Sequence, residues 1–218
     1  MNPQNGTNIN ELSEIAEMKR IFSSIESVLD KSKPSCLAVT SSVKGEGKTI
    51  MVAGLSALAA RQTNKKILAI DFNWHAPMLH KYFNTELIDV QRFKSEIPFD
   101  ELTQKTVIDN LDILPSTAIH SKTNNGNPFE DENTIVAAMI EQARNFYDLI
   151  FIDTSKIFPT NRRMMDPVSI SKITDGVVLV VLANATSRQE AKKARTTLET
   201  AGANILGVIV NQWQNPLA

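Results

Sequence analysis

The chain has 218 residues, 42% of them hydrophobic and 22% charged, enough for one well-buried α/β core and too apolar for a disordered chain. With 23 basic against 24 acidic residues the net charge is −1, which gives no electrostatic reason to expect nucleic acid or an anionic lipid surface as partner. The single cysteine, Cys36, excludes an internal disulfide or a multi-cysteine metal site, and its place in an apolar run marks a buried structural thiol.

No run of about 18 apolar residues occurs, and Met1 to Gly6 lacks the basic and apolar segments of a secretory signal. A cytoplasmic protein with no direct membrane span is expected. Residues 1–10 are expected to form a flexible arm and residues 11–218 a single domain. Leu12, Ile15, Met18, Phe22, Ile25 and Val28 predict an amphipathic helix ending near Lys31-Ser32-Lys33-Pro34. Its apolar stripe either packs on its own domain or docks on a neighbouring subunit.

Beyond it, short branched apolar runs alternate with helical patterns. Cys36–Thr40, Ile67–Ile70, Leu149–Ile152, Val177–Leu182 and Ile205–Val210 read as strands covered on both faces, with Leu111–Leu114 as a sixth. Helices are predicted over Thr49–Arg61, along the stripe Ile135, Met139, Ala143 and Phe146, and after the capping box Ser187-Arg188-Gln189-Glu190. Ala191, Ala194 and Leu198 form the inner face of that last helix, and Gly202 its left-handed terminator. His120 to Glu132 reads as a surface loop. Such alternation predicts an α/β fold with a doubly wound, mostly parallel sheet flanked by helices on both faces.

The strongest chemical signal is Thr40-Ser41-Ser42-Val43-Lys44-Gly45-Glu46-Gly47-Lys48-Thr49, between an apolar strand and a helical pattern. In that context Gly45 and Gly47 let successive N–H groups converge on phosphate oxygens, and the helix start adds its dipole and free N–H groups. Lys48 supplies a cation for the β and γ phosphates, and Thr49 a hydroxyl for Mg²⁺. The candidate nucleotide-binding set is Lys44, Gly45, Glu46, Gly47, Lys48, Thr49 and Ile50. The usual pattern has glycine where Ser42 stands, so the loop is a deviant form. Asp71 and Asp153 each end a strand, a position suited to holding Mg²⁺ at the carboxyl edge of a sheet. Thr49, Asp71 and Asp153 are the candidate metal residues, Lys48 and Asp71 the candidate catalytic ones, and ATP or ADP with Mg²⁺ the expected ligands. His75, His80 and His120 lack ligand spacing.

These segments resemble the deviant Walker ATPases of the MinD/ParA type. They are more closely similar to the bacterial tyrosine kinases of the CpsD/CapB type, P-loop proteins of three α/β/α layers in capsule and exopolysaccharide systems. The anchors are Gly45-Glu46-Gly47-Lys48-Thr49, Ile67 to Asp71 with Pro77 to Phe83, Tyr147 to Thr154, Asp175 to Val181, and Leu206 to Asn211. The resemblance implies that Asn211 contacts the adenine. It further implies a membrane polysaccharide co-polymerase as partner, a location at the inner face of the plasma membrane through that partner, and a homo-oligomer.

The departures bear on catalysis. Asn73 stands where the family's second motif has a second aspartate, and an amide takes no proton near neutral pH. His75 and Ala76 replace its usual basic residues. The helix motif used for ring assembly persists as Glu17 and Arg20, with Ser23 third, and the two prolines usual after Asp153-Thr154 are Ser155 and Lys156. The family's autokinases carry a tyrosine-rich tail, whereas the only tyrosines here are Tyr82 and Tyr147. Lys44 matches the lysine with which MinD/ParA ATPases reach across a dimer. Three functions are thus open: a tyrosine kinase, a nucleotide-gated regulator without kinase activity, and a positioning ATPase.

Overall fold

Strands buried on both sides need apolar side chains at successive positions, and Ser35–Ser41, Ile67–Asp71, Leu111–Leu114 and Leu149–Ser155 are buried throughout. The computed structural model describes residues 9–30, 32–74, 76–88, 98–116, 132–158 and 165–212. Its elements are α1 Ile9–Glu14, α2 Ala16–Val28, β1 Ser35–Ser41, α3 Lys48–Gln62, β2 Ile67–Asp71, α4 Leu79–Phe83, α5 Phe99–Leu102, β3 Gln104–Lys105 and β4 Leu111–Leu114. There follow α6 Glu132–Arg144, β5 Leu149–Lys156, α7 Pro167–Ile173, β6 Gly176–Leu182, α8 Arg188–Thr200 and β7 Ile205–Asn211. Outside the described residues lie His75, His120 with most of its loop, Lys31 and the segment from Trp213 onward.

Among the described residues one seven-stranded sheet runs β3-β4-β2-β5-β1-β6-β7, parallel except for β3 against β4. Successive strand residues face opposite sides. Leu37, Val39, Phe151, Val178 and Val180 therefore pack under α2, α3 and α4, with Phe22, Leu55, Leu58 and Leu79. Ala38, Ile150, Ile152, Val177 and Leu179 pack under α6, α7 and α8, with Ile140, Ile170 and Leu198. The doubly wound architecture expected from the sequence is present.

Several boundaries differ from expectation. α1 begins at Ile9, inside the segment read as an arm, because Ile9 is buried against the α3 side of the core. The predicted first helix is two helices broken at Ile15, whose extended backbone (φ −64°, ψ 127°) resets the apolar period. The buried stripe is then Met18, Phe22 and Ile25, packed within this chain, while Ile15 and Val28 are exposed. Phe146 lies beyond the end of α6, exposed, and stacks on Phe99 with centroids 6.2 Å apart. The capping box at Ser187 and Glu190 is formed in both directions, and Gly202 adopts φ +81°.

At the amino edge of the sheet the Asp175 carboxylate accepts from Cys36 N (2.8 Å), Arg144 Nη1 (2.8 Å) and Lys33 Nζ (3.4 Å). Burial opposes its charge, but these donors outweigh burial and hold the carboxyl below the usual range. Cys36 itself is fully buried, and burial pushes its thiol well above the ordinary value. A thiol reagent at pH 8 is therefore expected to label the native protein about tenfold or more slowly than the urea-unfolded chain. Equal rates would contradict the buried placement.

Candidate functional site

The parallel ladders align the strand ends. β1 pairs with β5 from Ser35↔Leu149 to Val39↔Asp153, and β2 pairs with β5 up to Asp71↔Asp153. Register alone thus sets Asp71 beside Asp153 at the carboxyl edge, where the phosphate loop leaves β1.

In the loop Gly45 and Gly47 take φ +87° and +97°, in the left-handed region. Nothing crowds Gly45, so conformation alone asks for glycine there. At Gly47 a Cβ would also overlap Asn211 Nδ2, and that amide donates to Glu46 O at 3.0 Å. Gly47 is the N-cap of α3, and no side chain caps the helix. The first N–H groups of α3 are left for a ligand at the loop. Lys44 is exposed at the loop's outer side, and Ile50 is half-buried in the first turn of α3.

Lys48 is buried at 8% exposure, and its Nζ donates to Ser41 Oγ at 2.9 Å. Burial lowers its pKa and repulsion from Lys156 adds to that, while Asp153 and Glu46 pull the other way; the net direction is down. Thr49 Oγ1 donates to Asp153 Oδ2 at 2.6 Å, and Asp153 Oδ1 is buried with no hydrogen-bond partner. Asp71 Oδ1 accepts from Asn73 N (3.0 Å), and its Oδ2 from Met78 N (3.2 Å) and Leu79 N (3.1 Å). Burial raises both carboxyls. Repulsion from Asp153 adds to the rise of Asp71, whereas Lys48 and Thr49 restrain that of Asp153.

An orphaned buried carboxylate oxygen beside a threonine hydroxyl suits a hard divalent cation. Among the described residues no three His, Cys, Asp or Glu side chains cluster as a complete metal cage. Mg²⁺ is a hard cation that keeps waters and takes phosphate oxygens alongside one or two protein groups.

Among the participants, Thr186 carried no sequence signal that singled it out, and the structure gives Glu46 a bracing part that the sequence did not show. Glu46 is buried at 1% exposure. It accepts from Ser42 Oγ (2.9 and 3.1 Å) and Val43 N (2.7 Å), and Thr186 Oγ1 also donates to it. Ser42, the deviation from the glycine pattern, has no positive φ, and its hydroxyl braces this carboxylate. Thr186 brings the β6–α8 connection to the loop across 140 residues of sequence. Tyr82 on α4 is half-buried; burial raises its phenol and the charge of Asp153 adds to that. His80 is half-buried with its pKa lowered by burial, and among the described residues its ring forms no cluster of potential metal ligands. Glu17 and Arg20 are exposed on α2. Among the described residues no helix is long and apolar enough to cross a membrane.

The family described as "AAA domain" matches residues 35–201. The tyrosine-protein kinase YwqD of Bacillus subtilis is 30% identical over 178 residues, covering 79% of this chain and 70% of its own length. The succinoglycan biosynthesis transport protein ExoP of Rhizobium meliloti is 25% identical over 192 residues, covering 86% of this chain but 23% of its own length. Among solved structures, the chimerical protein CapA2B2 superposes with a TM-score of 0.74 at 26% identity, over 91% of this chain and 84% of its own. The strand order, the phosphate loop and these matches agree: the chain belongs to the AAA-domain family and, within it, to the bacterial tyrosine-protein kinases.

Proposed function

We propose that the chain from Ile9 onward, rather than from residue 11, forms a single nucleotide-binding domain that takes Mg-ATP or Mg-ADP and works as a tyrosine kinase-type protein in capsule or exopolysaccharide synthesis. In this reading it sits in the cytoplasm and docks on a membrane polysaccharide co-polymerase. The observation that carries it is the Lys48–Thr49–Asp153 arrangement: a buried ammonium, a hydroxyl and a half-satisfied buried carboxylate, all at the mouth of a glycine loop. The pathway assignment is supported by the kinase relative and by the relative named for succinoglycan biosynthesis transport.

The protein's part in phosphoryl transfer is positioning and charge neutralisation. The loop N–H groups hold the phosphates, and Lys48, held by Ser41, spreads positive charge over their terminal oxygens. Thr49 and Asp153 would hold Mg²⁺, which would supply positive charge to offset the charge developing on the phosphates. Asn211, fastened to Glu46 O, borders the place of the base. Of the two tyrosines, Tyr147 is buried at the amino edge, away from the loop, and its hydroxyl donates to Asp112 at 2.8 Å. Tyr147 is therefore not placed as the phosphate acceptor, whereas the half-buried Tyr82 lies on α4. Incubation with labelled ATP and Mg²⁺ is expected to give phosphotyrosine, and no tyrosine label on either the chain or a tyrosine substrate would remove the kinase reading.

One observation favours a nucleotide-gated regulator instead. Asp71 spends both oxygens on three backbone N–H groups, and Asn73 Nδ2 donates to Ala76 O at 3.1 Å. Neither residue is placed as a free proton acceptor. This reading expects nucleotide binding with little turnover. Asn73→Asp is then expected to raise ATP turnover several-fold, toward the range general-base assistance supplies. An unchanged rate would locate the limitation elsewhere. The positioning-ATPase reading rests on the exposed Lys44, and light scattering that finds a monomer with and without ATP would remove it.

A further inference from the structure

Lys156 ends β5 beside the phosphate loop, and the chemistry above assigns it nothing. Its ladder partner is Ser41, the residue whose hydroxyl holds Lys48 Nζ. The next two residues tie this end of β5 to the loop, since Ile157 N donates to Ser41 O at 2.8 Å and Phe158 N to Ser42 O at 3.3 Å. Ser155 and Lys156 continue the strand where a pair of prolines would have ended it. Residues paired across a ladder point to the same face of the sheet, so Lys156 shares the face of Ser41, whose hydroxyl meets Lys48.

Lys156 is half-buried, and among the described residues neither an ion pair nor a side-chain acceptor engages its ammonium. Lys48 and Lys156 thus bring two cationic side chains to one face beside the loop, where a polyanion would be attracted by both.

We infer that Lys156 is a second phosphate-contacting cation, which with Lys48 neutralises the terminal phosphate of a nucleoside triphosphate. The inference rests on the nucleotide-binding reading proposed above and adds a preference for triphosphate over diphosphate. A lysine donates as a point charge, so arginine at the same place keeps the charge and its function.

Calorimetric titration of the full chain with Mg²⁺ and either ADP or a non-hydrolysable ATP analogue tests it. Lys156→Ala and Lys156→Gln are expected to weaken the triphosphate roughly tenfold, the scale of one charge-assisted contact, and ADP less than about threefold. Lys156→Arg is expected to restore triphosphate affinity. Wild-type affinity for the triphosphate in the alanine and glutamine variants would overturn the inference, as would an equal loss for both nucleotides that arginine does not rescue. A wild-type protein that binds neither nucleotide would overturn the underlying reading as well, so the two failures are distinct.

Discussion

Lys48→Met is expected to weaken Mg-ATP binding by about a hundredfold or more while leaving the nucleotide-free protein at least as stable as the wild type. The loss follows from removing a buried ammonium aimed at phosphate oxygens, where each charge-assisted hydrogen bond is worth about 1.5–3 kcal/mol and each 1.4 kcal/mol is tenfold. The unchanged stability has a separate cause. Lys48 is buried, its ammonium donates to the Ser41 hydroxyl, and burial depresses its pKa, so the empty fold bears a desolvation cost for this charge. Methionine fills a similar volume without that cost. Calorimetry and thermal unfolding of both proteins give the two readouts. Wild-type affinity in the variant would refute the phosphate-loop reading, and a large loss of stability would refute the charge argument.

Asp153→Asn is expected to weaken Mg²⁺-dependent nucleotide binding by about 10–100-fold, the range found when a group supporting a metal ligand is lost. It is also expected to change how stability varies with pH. Burial pushes the Asp153 carboxyl up to about 6, above its unfolded value near 3.9. The folded state therefore binds the proton more tightly than the unfolded chain. The resulting contribution to stability is fully present below about pH 4 and is lost as pH rises toward about 6. Urea unfolding of nucleotide-free protein at steps across that window should show this decline in the wild type and a flatter profile in the asparagine variant. Identical profiles would mean that Asp153 keeps its solution pKa in the fold. Saturating Mg²⁺ and nucleotide should shrink the wild-type decline, because a bound cation stabilises the ionised carboxylate.

Much of the site was legible in the chain itself because its chemistry is local. Gly45, Gly47, Lys48 and Thr49 lie within five consecutive residues, and the strand-to-helix context around them comes from short-range hydrophobic periodicity. The missed elements had weak or unread patterns. β3 is two polar residues paired on β4, and α7 is announced only by Asp166 as N-cap with Pro167 behind it. The break at Ile15 carries no glycine or proline. Phe146 continued a helical period in sequence but falls after the last turn of α6, where stacking on Phe99 holds it instead.

By itself the sequence determined the strand-rich α/β order, the phosphate loop and the two strand-end aspartates, since each depends on residues close together in the chain. Tertiary structure alone decided that Asp71 and Asp153 become neighbours and that Thr49 meets Asp153 across 104 positions. It likewise turned Glu46 toward Ser42 and Thr186, closed Asn211 over Gly47, and set Lys156 opposite Ser41. Those placements come from sheet register and strand order, which sum packing over the whole core and leave no mark in any short window of sequence.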